Sequence, residues 1–175
     1  LGWPVIEVPG IEADDAIGTL ARRAAESGHR VVISTGDKDL AQLVNPHVRL
    51  VNTMSNEVLD EAGVLAKFGV GPERIVDYFA LVGDSVDNVP GVEKVGPKTA
   101  VKWLQEYGSL DGIVAHASDI GGKVGENLRK ALDFLPLGKK LVTVVCDLEL
   151  PVKVADLAPQ PPDKDRLAEL FPQLE

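Results

Sequence analysis

Seven acidic residues fall into three short groups along this chain of 175 residues. One group opens a segment with helical spacing, one follows the apolar run at residues 31–34, and one lies in a glycine-marked stretch. The groups are Glu12, Asp14 and Asp15; Asp37 and Asp39; Asp84 and Asp87. Carboxylates gathered in one place repel one another unless cations lie between them. Oxygen ligands without a nearby His or Cys pattern suit Mg²⁺ or Mn²⁺ rather than zinc.

A purely structural role for these acids competes with metal binding. Acidic residues at a helix start stabilise the helix dipole, and Asp14 or Asp39 could simply cap a helix. Each group taken alone fits that explanation. The metal site is favoured by position, because open α/β sheets bind ligands at the carboxyl ends of their strands and the adjoining helix starts. The first two groups are both expected at that rim.

The stretch "GVEKVGPKTA", at residues 91–100, contains two glycines and two lysines. It is not a P-loop, because Pro97 intervenes before Lys98 where the motif requires Gly-Lys. Pro97 suits the first position of a helix, whose free N–H groups can hold a phosphate. Lys94 lies in the turn, and Lys98 and Lys102 share one helix face. The pattern indicates either a hairpin that grips a nucleic-acid backbone or an ordinary turn with solvated lysines.

Alternating apolar runs and helical patterns predict the elements that position these residues. Strand-like runs occupy residues 3–8, 30–35 and 48–54, with helical patterns at 12–28 and 37–44. They predict a parallel α/β sheet flanked by helices. After Asn56 the strand signal disappears, and the patterns at 59–69, 71–83, 97–108 and 124–145 are helical. The residues from 147 to 166 are rich in Pro and Asp, which is typical of a linker. We therefore expect three regions: an α/β core at 1–82, a helical region at 83–146, and a linker with the start of a following region at 147–175.

The composition limits the classes of function. The net charge is −9, which repels nucleic acid unless metal ions intervene. Two divalent ions would offset about four of those charges. No apolar run approaches a membrane span and no signal-peptide pattern is present. The single cysteine, Cys146, excludes a disulfide within the chain, in keeping with a cytoplasmic location.

Three segments together resemble the 5′-nuclease (flap endonuclease) domain of bacterial DNA polymerase I. They are "GIEADDAIGTLA", "STGDKDLAQLV" and "GDSVDNVPGVEKVGPKTA", and they occur in the order found in that family. The resemblance implies a PIN-like sheet followed by a helix-three-turn-helix (helix-hairpin-helix) motif that grips duplex DNA and often holds K⁺. It implies that the seven acids bind two Mg²⁺ or Mn²⁺ ions and catalyse phosphodiester hydrolysis. It assigns DNA contact to the hairpin residues Gly91, Val92, Val95, Gly96 and Lys98, beside which Lys94 and Lys102 are further candidates.

The resemblance also implies which substrates the protein acts on and which parts of the family's fold this sequence lacks. Members act on 5′ flaps, nicks and RNA primer–DNA junctions in replication and repair, and we expect a monomer. Many members have Gly at the position of Lys94, so a turn that needs a positive φ would be strained there. The family's first strand, with a metal-binding Asp, and its helical arch have no counterpart in this sequence. We therefore expect the 175 residues alone to bind DNA without useful cleavage, and a polymerase region to follow in the parent protein.

Overall fold

In the computed structural model, which describes residues 1–173, a three-stranded sheet underlies the first half of the chain. The strands are β1 (Val31–Ser34), β2 (Val48–Asn52) and β3 (Glu57–Leu59), in the order β1-β2-β3. Strands β1 and β2 are parallel, and β2 and β3 are antiparallel. The sheet is therefore mixed. The prediction of a parallel sheet is right for β1 and β2 and wrong for β3.

Helix α1 (Ala13–Glu26) packs against the sheet, and a 3₁₀ segment (Asp39–Leu43) connects β1 to β2. Small residues let α1 approach closely, since Ala21 and Ala24 are buried. The helix ends where Gly28 adopts a φ of +80°, a conformation that glycine takes without strain. This matches the end of the helical pattern predicted at residues 12–28.

Two strand predictions are wrong. Residues 3–8 form no strand in the described chain, because no neighbouring strand lies beside them to pair with their backbone groups. Trp3 and Val5 face solvent, with 71% and 90% exposure, while Ile6 and Val8 are half-buried. Strand β3 lies beyond Asn56, where we expected no further strand. It is only three residues long, too short for a period-two pattern to be visible.

The rest of the described chain is mainly helical, as predicted. The helices are α2 (Glu61–Phe68), α3 (Ile75–Val82), α4 (Pro97–Tyr107), α5 (Leu110–Ala115), α6 (Gly122–Ala131), α7 (Leu135–Leu141) and α8 (Lys164–Leu170). The pattern at 124–145 divides into α6 and α7 because Pro136 cannot continue a helix but fits its first turn. Helix α5 was not predicted from the sequence; Ser109 caps it by accepting a hydrogen bond of 3.1 Å from Gly112 N.

One hydrophobic core joins the sheet to the helices. It runs from Ile33 and Leu50 of the sheet, through Phe79 and Leu81 of α3, to Leu128 of α6. Both halves of the chain share this core. The core therefore fixes the acids at α1 and after β1 relative to Asp84 and Asp87, which follow α3.

Residues 142–148, here called the strap, return from α7 to the start of the chain. Gln42 clamps the strap by donating to Val142 O at 2.9 Å and accepting from Val144 N at 2.9 Å. Arg23 of α1 donates to Leu148 O at 2.6 Å. Gly18 makes room, because a Cβ there would lie 2.7 Å from Val144 Cγ1.

The predicted linker has little regular structure. It contains one 3₁₀ turn (Val154–Leu157) before α8 begins. The last two residues of the region predicted at 147–175 lie outside the described residues. Among the described helices, none combines the length and the apolar character that a bilayer crossing demands.

Candidate metal centre

Acidic side chains from distant parts of the sequence line one cleft of about 300 Å³. Six of the seven predicted acids lie on its wall: Glu12, Asp14, Asp15, Asp37, Asp39 and Asp87. Residues 141–144, at the end of α7 and the start of the strap, also line this cleft. The seventh acid, Asp84, is buried, with 3% exposure.

Asp84 belongs to the same centre through its neighbours. One carboxylate oxygen each from Asp39, Asp84 and Asp87 lie within 4.8 Å of one another. The Oδ1 atom of Asp39 is buried and has no hydrogen-bond partner among the described residues. A buried carboxylate oxygen without a hydrogen bond is costly, so it favours a nearby cation, and Lys38 Nζ lies 3.5 Å from it. The three groups that were separate in sequence thus form one centre.

Local hydrogen bonds show which acids also have structural roles. Asp37 Oδ1 accepts from Asp39 N at 2.9 Å, and Asp84 Oδ1 accepts from Val86 N at 2.9 Å. At this turn Asp37 rather than Asp39 accepts a backbone N–H, and Asp14 does not cap α1, which begins without a side-chain capping bond. Each of these bonds engages one oxygen; the second oxygen of Asp84 accepts from Lys38.

The start of α1 presents three acids to the cleft. Glu12 is the N-cap residue, but its side chain makes no capping bond, and Asp14 and Asp15 lie in the first turn. Asp15 Oδ1 accepts a hydrogen bond of 2.8 Å from Val145 N, so the strap holds this carboxylate in place. That contact joins residues 130 positions apart, and local spacing does not predict it.

Lys38 is a residue of the centre that the sequence reasoning missed. Its Nζ donates to Asp84 Oδ2 and lies 3.5 Å from Asp39 Oδ1. The ammonium also lies 5.1 Å from the centre of the Phe79 ring. The available signal was its place between Asp37 and Asp39, because a lone cation inside an acidic group is expected to pair within that group.

The pKa shifts in the centre indicate carboxylates that lack enough neighbouring positive charge. Burial, together with Asp84, Asp37 and Asp87, raises the pKa of Asp39 to about 6, although Lys38 opposes the shift. Burial and the nearby Asp37 and Glu12 also raise the pKa of Asp14. For Asp84, burial acts in the same direction, but the Lys38 hydrogen bond and the Val86 N–H outweigh it, so the pKa of Asp84 is lowered.

A short hairpin connects this centre to the glycine-marked turn. Strands β4 (Gly83–Asp84) and β5 (Val89–Pro90) are antiparallel, and β5 leads directly into Gly91. Asp84 is thus one residue of the hairpin and one member of the acidic centre. Any movement of the hairpin would move this carboxylate.

The turn at residues 92–95 closes with a hydrogen bond of 2.9 Å from Val95 N to Val92 O. Lys94, its third residue, has a φ of +66°, the conformation in which a side chain is strained and glycine is not. Asn127 of α6 supports the turn by donating to Glu93 O at 2.8 Å.

The seven predicted DNA-contact residues divide into three kinds. Val92 and Val95 are buried, so their side chains anchor the turn in the core. Lys94, Lys98 and Lys102 are exposed, while Gly91 and Gly96 are half-buried. Helix α4 begins at Pro97 directly after the turn, as expected. The three lysines form no ion pair within residues 1–173 and lie in the turn or the first two turns of α4, and their role in DNA binding stays a prediction.

The chain was compared with known protein families and proteins. Residues 1–69 match the family described as 5′-3′ exonuclease, N-terminal resolvase-like domain. Residues 70–165 match 5′-3′ exonuclease, C-terminal SAM fold. Together these matches describe a resolvase-like α/β part followed by a SAM-like helical part.

Two curated relatives illustrate the similarity. DNA polymerase I of Pseudomonas aeruginosa is 46% identical over 187 residues, which cover 100% of this chain and 20% of that protein. The 5′-3′ exonuclease of Aquifex aeolicus is 43% identical over 174 residues, covering 99% of this chain and 59% of the relative. The chain thus spans between a fifth and three fifths of these two relatives.

Solved structures share the fold. T5 5′-exonuclease with bound zinc ions has a TM-score of 0.75 at 23% identity, covering 81% of this chain and 53% of that one. The catalytic core of Rad2 in complex with DNA substrate has a TM-score of 0.62 at 18% identity, covering 98% of this chain and 59% of that one. With family matches over residues 1–165 and relatives above 40% identity, the chain belongs to the 5′-3′ exonuclease family and is homologous to the 5′-3′ exonuclease portion of bacterial DNA polymerase I.

Proposed function

We propose that this chain carries the catalytic acids and the DNA-gripping hairpin of a metal-dependent 5′-3′ exonuclease and flap endonuclease. The observation that carries this proposal is the convergence of six acids on one cleft, with the seventh, Asp84, lying in the hairpin that leads to the lysine-bearing turn. Two of the proposed metal ligands, Asp84 and Asp87, and the proposed nucleic-acid contacts are therefore built on one continuous segment.

The residues of the centre fit hard divalent cations. The donors are carboxylates, and Asp39 Oδ1 is a buried oxygen that accepts no hydrogen bond in the described chain, with the Lys38 ammonium 3.5 Å away. Asp39, Asp84 and Asp87 would hold one Mg²⁺ or Mn²⁺ ion, and Glu12, Asp14, Asp15 and Asp37 would complete a site for a second. Such ions lower the pKa of a bound water and stabilise the leaving oxygen of a phosphodiester. All seven acids are proposed as metal-binding and catalytic.

The protein residues themselves orient these donors. Asp37 is fixed by the Asp39 N–H, Asp15 by the Val145 N–H, and Asp84 by the Val86 N–H. A carboxylate held by a backbone donor loses little conformational entropy when a ligand binds, which favours a preorganised site. The strap and the β4–β5 hairpin are the elements that provide this order.

The hairpin would bind the DNA backbone as a helix-three-turn-helix motif. Lys94, Lys98 and Lys102 offer ammonium groups to phosphates, and the start of α4 offers backbone N–H groups. Gly91, Val92, Val95 and Gly96 would shape the turn, and its carbonyls are the proposed ligands of a K⁺ ion. Such contacts do not read the bases, so recognition is proposed to depend on the shape of the junction.

The substrates proposed from the family are duplex DNA with a 5′ flap or nick and RNA primer–DNA junctions, processed in replication and repair by a monomer. The division into a nuclease core at 1–82, a DNA-binding region at 83–146 and a connecting region at 147–175 remains part of the proposal. A polymerase activity in the whole protein is proposed on the same basis. A relative that matches this chain over its whole length is a DNA polymerase I, of which the chain spans 20%.

The test is a cleavage assay of the chain on 5′-flap, nicked and blunt duplexes in Mg²⁺ or Mn²⁺, with EDTA as the control. Binding to the same DNA in Ca²⁺ is measured in parallel. Flap-dependent cleavage that EDTA abolishes would support the proposal. Tight binding without cleavage would instead support the alternative of a non-cleaving DNA-binding unit. Absence of both divalent-metal binding and DNA binding would overturn the proposal.

A further inference from the structure

Lys38 is the cation nearest to the acidic centre in the described structure. Its ammonium donates a hydrogen bond to Asp84 Oδ2 and lies 3.5 Å from Asp39 Oδ1. Both acids belong to the trio whose oxygens lie within 4.8 Å of one another. The lysine therefore occupies the side of the centre where Asp39 and Asp84 meet.

The surroundings of Lys38 hold it in this position. The Phe79 ring lies beneath the ammonium at 5.1 Å, which provides a cation–π contact. Asp84 is almost completely enclosed, with a side-chain exposure of 1%, so its charge depends on a neighbouring cation. The Lys38 side chain is 38% exposed, which leaves the ammonium a route to solvent.

A divalent ion and an ammonium need the same carboxylate lone pairs. The Oδ1 atom of Asp84 already accepts from Val86 N, so Oδ2 is its remaining oxygen, and Lys38 binds it. A metal ion at Asp39, Asp84 and Asp87 would lie close to the Lys38 ammonium and be repelled by it. The two cations are therefore competitors for one place.

We infer that Lys38 is an internal counter-cation that competes with a divalent metal ion for the Asp39–Asp84 pair, and so is a positioning residue that sets the metal affinity of the centre. This inference rests on the proposed metal site. In the absence of metal, Lys38 keeps Asp84 and Asp39 together and prevents their repulsion from opening the β4–β5 hairpin. When metal binds, the ammonium leaves Asp84 for solvent.

The test measures Mg²⁺ and Mn²⁺ affinity of the chain by isothermal titration calorimetry, with free Mn²⁺ counted by electron paramagnetic resonance. Lys38→Met removes the charge and keeps the length of the side chain. We expect it to bind Mg²⁺ about tenfold more tightly, since a repulsive charge has been removed. Without metal, the melting temperature of this variant should fall. Lys38→Arg keeps a cation at the centre, so its affinity should stay near that of the wild type.

Lys67→Met is the matched control. Lys67 also forms an ion pair, at 2.7 Å with Glu57, lies 5.7 Å from an aromatic ring centre, and is 39% exposed. It contacts none of the seven acids, so its replacement should leave metal affinity unchanged. Equal or weaker Mg²⁺ binding by Lys38→Met, with Lys67→Met unchanged, would overturn the inference, because it would mean that Lys38 does not compete with the metal.

A measurement on the wild-type chain covers the case in which Lys38→Met does not fold. Nuclear magnetic resonance of ¹⁵N-labelled lysine ammonium groups, assigned with Lys38→Arg, should show a slowly exchanging Lys38 signal in EDTA. Saturating Mg²⁺ should abolish or shift that signal. An unchanged signal at saturation would overturn the inference while leaving the metal site intact. If the wild type binds no divalent metal at all, the proposed function fails first.

Discussion

The backbone of Gly91 lies directly against the backbone of Gly83, so closely that a Cβ on Gly91 would overlap the amide nitrogen of Gly83. Gly83 precedes the metal-site candidate Asp84, and Gly91 leads into the turn at residues 92–95, which is proposed to contact DNA. Val92 N also donates to Leu81 O at 2.8 Å, which fixes the turn to the end of α3. The acidic centre and the hairpin are thus held together by backbone contacts that admit no side chain.

Gly91→Ala should therefore destabilise the chain. Overpacking against backbone that cannot move costs about 1–3 kcal/mol, and we expect a fall in melting temperature of about 3–10 °C. The Mg²⁺-dependent rise in melting temperature should also shrink, because the hairpin carries Asp84. The control is Gly96→Ala, where a Cβ would meet nothing within 4 Å and φ is −102°. Equal melting temperatures for the two variants would show that the contact is not restrictive.

Asp39→Asn should stabilise the metal-free chain at neutral pH. The pKa of Asp39 is raised from 3.8 to about 6, mainly by burial, so the folded state binds this proton more tightly than the unfolded state. Stability is therefore lost as the pH rises from about 4 to 6, and this cost persists above pH 6. Removing the carboxylate removes the cost, on the order of 1 kcal/mol after allowance for screening by solvent.

The measurement is thermal unfolding in EDTA between pH 3.5 and 8. Asp39→Asn should melt a few degrees above wild type at pH 7.5, a difference on the order of 3 °C, and the two should converge below pH 4. Added Mg²⁺ should stabilise wild type more than the variant. Asp133→Asn, at an exposed position, serves as the control and should show neither effect. A lower melting temperature for Asp39→Asn at pH 7.5 in EDTA would contradict the raised pKa.

In the longer protein that includes the family's first strand and arch, Asp37→Asn should lower the rate of 5′-flap cleavage by about 100-fold or more, since it removes a proposed charged metal ligand. An asparagine Oδ1 can still accept the bond from Asp39 N, so the local turn is preserved. Binding to flap DNA in Ca²⁺ should change little. The measurement is single-turnover cleavage in Mg²⁺, beside Asp133→Asn. A rate within a few-fold of wild type would mean that Asp37 acts only as the capping residue of its turn.

Lys98→Ala should weaken binding to duplex DNA to the same extent for unrelated sequences. Losing one phosphate contact should reduce the slope of log affinity against log salt by about one unit. Fluorescence anisotropy in Ca²⁺ over a range of salt concentrations measures both quantities. Lys164→Ala, on α8, is the exposed-lysine control. A loss of affinity restricted to certain sequences would contradict a backbone contact. The same small loss as in Lys164→Ala would mean that Lys98 is an ordinary solvated lysine.

The spacing of residue types was sufficient to predict the helical second half, the parallel pairing of β1 with β2, and the acidic groups. Helical periodicity, Pro97 at the start of α4 and Gly28 after α1 are local signals, and local physics determines them. The order of the three motifs was enough to identify the family, because three independent matches in sequence order are rarely coincidental.

Only the tertiary structure decided how the acids meet and what holds them. Asp15 is fixed by Val145, 130 positions away, and Asp84 is paired with Lys38, 46 positions away. Strand β3 pairs antiparallel, and residues 3–8 remain unpaired despite their strand-like pattern. The reason is that strand pairing and ion pairing depend on which segments become neighbours through the shared core. The residue pattern of a segment indicates which of its faces is buried. Which other segment it pairs with is determined by how the whole chain packs.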